Sequence, residues 1–79
     1  MITSGQIKAA RSLLGWTARD LASKSGIGFS TMIRLEASNG VPSSNVKTLN
    51  AIQRALEESG IQFIGSPEDG PGVRLFTKE

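Results

Sequence analysis

The side chains that could do chemistry in this chain are arginines, lysines and small hydroxyl residues. The 79-residue sequence contains neither cysteine nor histidine, which excludes disulfides, thiol catalysis and the commonest nitrogen ligand for metals. Its carboxylates and serines are scattered, and no motif surrounds them with a base or a phosphate-binding loop. We therefore expect no enzymatic activity, no metal site and no cofactor.

The charged residues are unevenly distributed along the chain. Residues 1–54 hold seven Lys or Arg against two acidic residues, a net charge of +5, whereas residues 55–79 hold two against five, a net charge of −3. A basic front favours a polyanionic partner, and an acidic tail favours a different one. A chance segregation of solvated charges is the alternative interpretation.

Two short predicted helices, at about 18–25 and 29–37, hold most of the candidate side chains. Gly26 permits the turn between them, Ile27 fills the gap beneath that turn, and the small Ala22 lies where the helices cross. Such a bihelical unit projects its second helix outward. Met32 and Leu35 form the inward stripe of that helix. The residues off the stripe are Phe29, Ser30, Ile33 and Arg34.

The elements around this unit are predicted by capping signals and turn formers. Capping boxes, in which a threonine and a side chain three residues later satisfy each other's amides, begin the first two helices. These boxes are Thr3–Gln6 and Thr17–Asp20. The first helix covers about 4–14 and ends at Gly15. After a turn-rich loop at 38–43, a fourth helix begins beyond Ser44 and stops before Gly60.

The helical part resembles a known family. The matching residues, in chain order, are Thr17, Asp20, Leu21, Ala22, Gly26, Ile27, Thr31, Met32, Leu35 and Glu36. This pattern is similar to the helix-turn-helix of the phage repressor/Cro class, the xenobiotic-response-element family of bacterial and phage transcription regulators. The resemblance covers about residues 6–56, and it implies a mainly α, four-helix repressor-like DNA-binding domain.

The resemblance also implies roles for individual residues. The third helix would be the recognition helix, with its N-terminal residues at base edges in the major groove. Arg34 could bridge O6 and N7 of guanine or clamp a phosphate, and Phe29 and Ile33 could contact a thymine methyl group. The implied DNA-binding positions are Thr17, Ala18, Arg19, Gly28, Phe29, Ser30, Thr31, Ile33, Arg34, Asn39, Ser43 and Lys47.

Two of these positions depart from the family pattern. The glutamine often found at the first residue of helix 2 is Ala18, and the serine often found at the recognition-helix cap is Gly28. We therefore expect a modest or A·T-tolerant sequence preference. Other interpretations stay open, since Phe29 and Ile33 could be packing residues, Arg34 a solvated charge, and the polar loop residues simple turn formers.

Arg11 and Glu36 match a structural pair of the family. In the family, an arginine four residues before the first glycine pairs with the glutamate that ends helix 3. The resemblance thus implies that Arg11 and Glu36 tie helix 1 to the recognition helix and have no direct part in DNA binding.

The tail contains two strand-like runs, 61–64 and 73–76, separated by the turn-rich segment 65–72. Both faces of these strands carry large apolar residues, more than a hairpin over one helical layer would bury. Pairing of strand edges across a two-fold axis would bury them in a dimer seam. The predicted seam residues are Ile61, Phe63, Ile64, Val73, Leu75 and Phe76. The alternatives are a hairpin folded back on helices 1 and 4, and a dimer seam on helix 4.

Together these observations predict a DNA-binding domain at 1–59 and a C-terminal β extension at 60–79 that serves in dimerisation. The expected function is sequence-specific binding of double-stranded DNA by a homodimeric transcriptional regulator. The alternative is an antitoxin-like protein-interaction module, for which Phe63, Ile64 and Phe76 would remain exposed. No apolar run is long enough to span a membrane and no signal-peptide pattern opens the chain, so we expect a cytoplasmic protein.

Overall fold

Four helices are followed by a two-stranded antiparallel hairpin in the computed structural model, which describes residues 2–76. The elements are α1 (Ser4–Leu14), α2 (Ala18–Ser25), α3 (Phe29–Ala37), α4 (Val46–Glu58), β1 (Ile61–Ser66) and β2 (Asp69–Leu75). This arrangement confirms the predicted mainly helical fold with a C-terminal hairpin. None of the helices within residues 2–76 is long and apolar enough to cross a membrane.

The first helices begin where their capping boxes predict. The Gln6 amide N–H donates to Thr3 Oγ1 at 3.1 Å, and the Thr3 N–H donates to Gln6 Oε1 at 2.9 Å. Helix α2 repeats the arrangement, and both helices end at glycines with φ near +70°. Because each cap depends on residues within one turn, the bounds of α1 and α2 follow from local sequence.

The core lies where the four helices meet the inner face of the hairpin. Its fully buried large side chains are Ile7, Leu21, Met32, Leu35, Ile52 and Leu56. Each such burial contributes about 1.5–3 kcal/mol relative to an exposed side chain. Two of the six, Met32 and Leu35, come from α3, so one side of that helix is firmly anchored.

The hairpin is longer than predicted, and the predicted connection at 65–72 is wrong. The strands continue to Ser66 and Asp69, with a bulge after Ile64, so that only Pro67 and Glu68 form the turn. Gly65 makes this possible. It has φ +75°, and a Cβ there would collide with the Gly70 carbonyl. Glycines that predict a loop by composition here allow close strand approach and a bulge.

The inner face of the hairpin packs on α1 and α4 of its own chain. Ile61 is only 4% exposed, and Phe63, Val73 and Leu75 pack against the core. The assignment of Ile61 to a dimer seam is therefore wrong, because its side chain is already buried within one chain. The structure instead has the folded-back hairpin that the sequence left as an alternative.

Gln6 fastens the hairpin to α1 as well as capping that helix. Its Nε2 donates to the carbonyl oxygens of Ile64 at 3.2 Å and Gly72 at 2.9 Å, one on each strand. Both N–H donors and the carbonyl oxygen of this buried amide thus have partners in the hairpin and in the cap of α1. The sequence predicted the cap but not this bridge to residues 58 and 66 positions away.

Candidate nucleic-acid interface

Helices α2 and α3 form a tight pair joined by the three residues 26–28. The Ile27 N–H donates to the Ala22 carbonyl at 2.9 Å, which closes the end of α2. Ala22 is buried and Ile27 packs against the core. The orientation of α3 relative to α2 is thereby fixed by packing on both sides of the turn.

One side of α3 is buried and the other lies open. Met32 and Leu35 are fully buried, whereas Phe29 is 38% and Ile33 46% exposed. The positions assigned to base contacts, Phe29, Ser30, Ile33 and Arg34, are all exposed. Spacing of three and four residues places them on one helix face. Phe29 and Ile33 are therefore surface residues rather than core packing.

Arg11 and Glu36 hold the far end of α3 against α1. Arg11 Nε and Nη2 each lie 2.8 Å from an oxygen of Glu36, and Arg11 Nη1 donates to the Trp16 carbonyl at 3.2 Å. Glu36 is buried, and its hydrogen bonds raise the pKa of the Arg11 guanidinium. This two-pronged geometry joins three segments of the chain.

Arg11–Glu36 is the only ion pair among residues 2–76. The other basic side chains of the helical part thus lie without a carboxylate within 4.0 Å in the described part of the chain. They are Lys8, Arg19, Lys24, Arg34, Lys47 and Arg54. An uncompensated set of cations favours a polyanionic ligand.

Arg19 of α2 stacks on Phe29 of α3. The guanidinium carbon lies 4.1 Å from the ring centroid, which is a cation–π geometry. The sequence analysis included both residues among the implied DNA-binding positions without pairing them. Their contact depends on how the helices cross, and no spacing in the sequence indicates it.

The N-termini of α2 and α3 differ in what they offer an anion. At α2 the Thr17 N–H donates to Asp20 Oδ2 at 2.9 Å, which lowers the pKa of the Asp20 carboxyl, and Thr17 Oγ1 accepts from the Asp20 N–H. The carboxylate therefore already occupies this helix end. Gly28 has no side chain that could cap α3. Within residues 2–76, no side-chain cap therefore accepts a hydrogen bond from the first amide N–H groups of α3.

The predicted positions outside α2 and α3 lie on two separate grooves or in the loop. Lys47 lines a groove of about 480 Å³ between α2 and α4, together with Lys24 and Arg54, which sequence reasoning missed. Asn39 lines a different groove of about 290 Å³, beside the start of α1 and the hairpin tip. Ser43 is exposed in the connecting loop. These positions are therefore not gathered on one groove.

Within the described range 2–76, no three carboxylates come close enough together to hold a metal ion. No protein-family model matches the chain, and no curated protein matches its sequence. The function must therefore be inferred from the exposed face of α3 and the charges around it.

Proposed function

We propose that the protein binds double-stranded DNA by placing α3 in the major groove, and that it acts as a small transcriptional regulator with a helix-turn-helix. The observation that carries this proposal is the two-sided character of α3. Its buried side is fixed by Met32 and Leu35, while Phe29, Ser30, Ile33 and Arg34 lie exposed on the other. The major groove is about 12 Å wide and accommodates a helix presented in this way.

The exposed face combines three kinds of contact. Arg34 carries a guanidinium that can donate two hydrogen bonds to guanine. Ser30 can donate to or accept from a base or a phosphate, and Phe29 and Ile33 supply apolar contact. The cations on α2 and α4, which have no carboxylate partner within residues 2–76, add phosphate contacts, and such contacts make the binding dependent on salt.

The regulator would act as a homodimer, because two copies can bind two half-sites about one helical turn apart. Since the inner hairpin face is buried, the surfaces left for the seam are its outer face and the start of α4. Phe76 is 56% and Val46 60% exposed. Arg74 lies over the Phe76 ring at 5.8 Å on that outer face.

The second candidate, a protein-interaction module, rests on the exposed Phe76 alone. Phe63 packs against the core and Ile64 is partly covered. The apolar tail available to a protein partner is therefore much smaller than the sequence predicted, and DNA binding is the stronger proposal.

A salt-titrated binding assay with random-sequence duplex DNA tests the proposal, with sedimentation of the free protein to give its mass. We expect tight binding at low salt, a steep loss of affinity as salt rises, and a species of twice the chain mass. An Arg34→Ala variant should reduce the affinity, whereas Glu68→Ala at the hairpin turn should not reduce it. Absence of binding at low salt would overturn the proposal and direct the search to a protein partner.

A further inference from the structure

The stacked Arg19–Phe29 pair lies at the first turn of α3. We propose that this pair recognises the C5-methyl group of a pyrimidine, thymine or 5-methylcytosine, in the major groove. Phe29 contacts the methyl group, and Arg19 is the positioning residue that holds the ring. The inference rests on the proposed DNA binding and names the base feature that the same surface recognises.

The chemistry of Phe29 selects the methyl group. Phenylalanine has no hydrogen-bonding group, yet it occupies the start of α3 and stays 38% exposed. In the major groove the base edges present donors and acceptors, and the thymine methyl is the apolar exception. Against a polar edge, the ring would displace water without replacing its hydrogen bonds. The methyl group is therefore the complementary feature.

Arg19 gives the ring a defined position before any ligand binds. Its guanidinium covers one face of Phe29 at 4.1 Å, and the neighbouring Asp20 is held by Thr17 instead of pairing with it. A stacked guanidinium keeps its N–H groups in the plane, where they remain free to donate to a phosphate. Stacking and charge are thus separable properties of the same side chain.

Ile33 lies one turn further along α3 and extends the apolar surface. It is 46% exposed and four residues after Phe29, so both share one face. Isoleucine has no aromatic ring, so the cation–π stack involves Phe29 and not Ile33. Because Ile33 belongs to the same surface, the matched control is Leu13→Ala, which removes an exposed apolar side chain from α1 and leaves the stacked pair intact.

The test uses random-sequence duplexes made with thymine, with uracil in place of thymine, and with uracil plus 5-methylcytosine. Uracil lacks only the C5-methyl group, and 5-methylcytosine restores a methyl at a different base. We expect uracil DNA to bind about fourfold more weakly for each methyl contacted. Recovery in the third duplex would identify 5-methylcytosine as an accepted source, and no recovery would restrict the site to thymine.

Three variants, one of them a control, assign the effect to the pair. Phe29→Ala should bind thymine and uracil duplexes equally, whereas Leu13→Ala should keep the wild-type preference. Arg19→Lys keeps the charge and loses the planar stack, so the salt dependence should persist while the thymine preference falls. A purely electrostatic Arg19 would leave that preference unchanged. Phe29 and Arg19 are both exposed, so these variants should retain the wild-type circular dichroism spectrum.

The outcomes separate this inference from the proposed function. Salt-dependent DNA binding with equal affinity for all three duplexes overturns methyl recognition and leaves DNA binding standing. A thymine preference that survives in Phe29→Ala also overturns the inference, since another residue would then contact the methyl. No binding to any duplex overturns both.

Discussion

Replacement of Arg11 by alanine should destabilise the fold more than any change on the exposed face of α3. The substitution removes two hydrogen bonds of 2.8 Å to Glu36 and the one donated to the Trp16 carbonyl. Glu36 would remain behind with its side chain only 8% exposed. A buried carboxylate without its partner bears the full cost of desolvation.

The magnitude follows from the burial of the two partners. Breaking one side of a buried ion pair costs about 3–5 kcal/mol, and the lower end applies because Arg11 is 25% exposed. A small domain has a free energy of unfolding of roughly 0.05–0.15 kcal/mol per residue, so this loss is a large share of the total. For a domain of this size, each kcal/mol lowers Tm by about 4–8 °C.

Thermal and denaturant unfolding, followed by circular dichroism, measure this effect. Arg11→Lys keeps the charge but loses the two-pronged geometry, so it should fall between wild type and Arg11→Ala. In the double variant Arg11→Ala/Glu36→Ala the carboxylate is also removed. Its loss of unfolding free energy should therefore be smaller than the sum of the losses in the two single variants. A Tm for Arg11→Ala equal to that of wild type would refute the argument that this pair holds α3 against α1.

Three further changes probe the interface, the hairpin and the acid response. Arg34→Ala should weaken DNA binding by about 1–3 kcal/mol if Arg34 contacts a base; a uniform loss over all sequences, with a salt slope lower by about one, would indicate a phosphate contact instead. Gly65→Ala should lower stability by at least 1–3 kcal/mol, because of its positive φ and the collision with Gly70, and an unchanged Tm would contradict this. The hydrogen bond from Thr17 lowers the pKa of Asp20 in the folded state, so its stabilising contribution is present above the unfolded pKa of about 3.9 and lost as pH falls through the folded value. Asp20→Asn should therefore flatten the acid side of the stability curve, and an identical pH profile would oppose this assignment.

The helical part could be predicted because its signals are local. Thr3 with Gln6, and Thr17 with Asp20, lie within one turn of each other, and Gly15 ends α1 directly. The inward spacing of Met32 and Leu35 likewise predicts which face of α3 is exposed. Each of these features needs only the geometry of one helix.

The contacts that the sequence could not supply join distant elements. Arg19 meets Phe29 only because α2 and α3 cross at a particular angle. Gln6 reaches Ile64 and Gly72 across 58 and 66 residues. The capping role of Gln6 is evident from the local sequence, whereas its second role, the bonds to both strands, becomes evident only from the tertiary fold.

The hairpin shows why an apolar strand pattern alone does not identify a dimer seam. Alternation predicts two faces, and it does not say whether the same chain or a second one covers each of them. Here Ile61 is buried and its inner-face neighbours are partly buried against α1 and α4, which leaves Phe76 as the large apolar residue most exposed in the described part of the tail. A dimer formed through the hairpin must therefore use the outer face or a free strand edge. Such a seam buries less apolar surface than pairing of both faces would, so dimerisation should depend on protein concentration and be strengthened when two copies occupy adjacent half-sites.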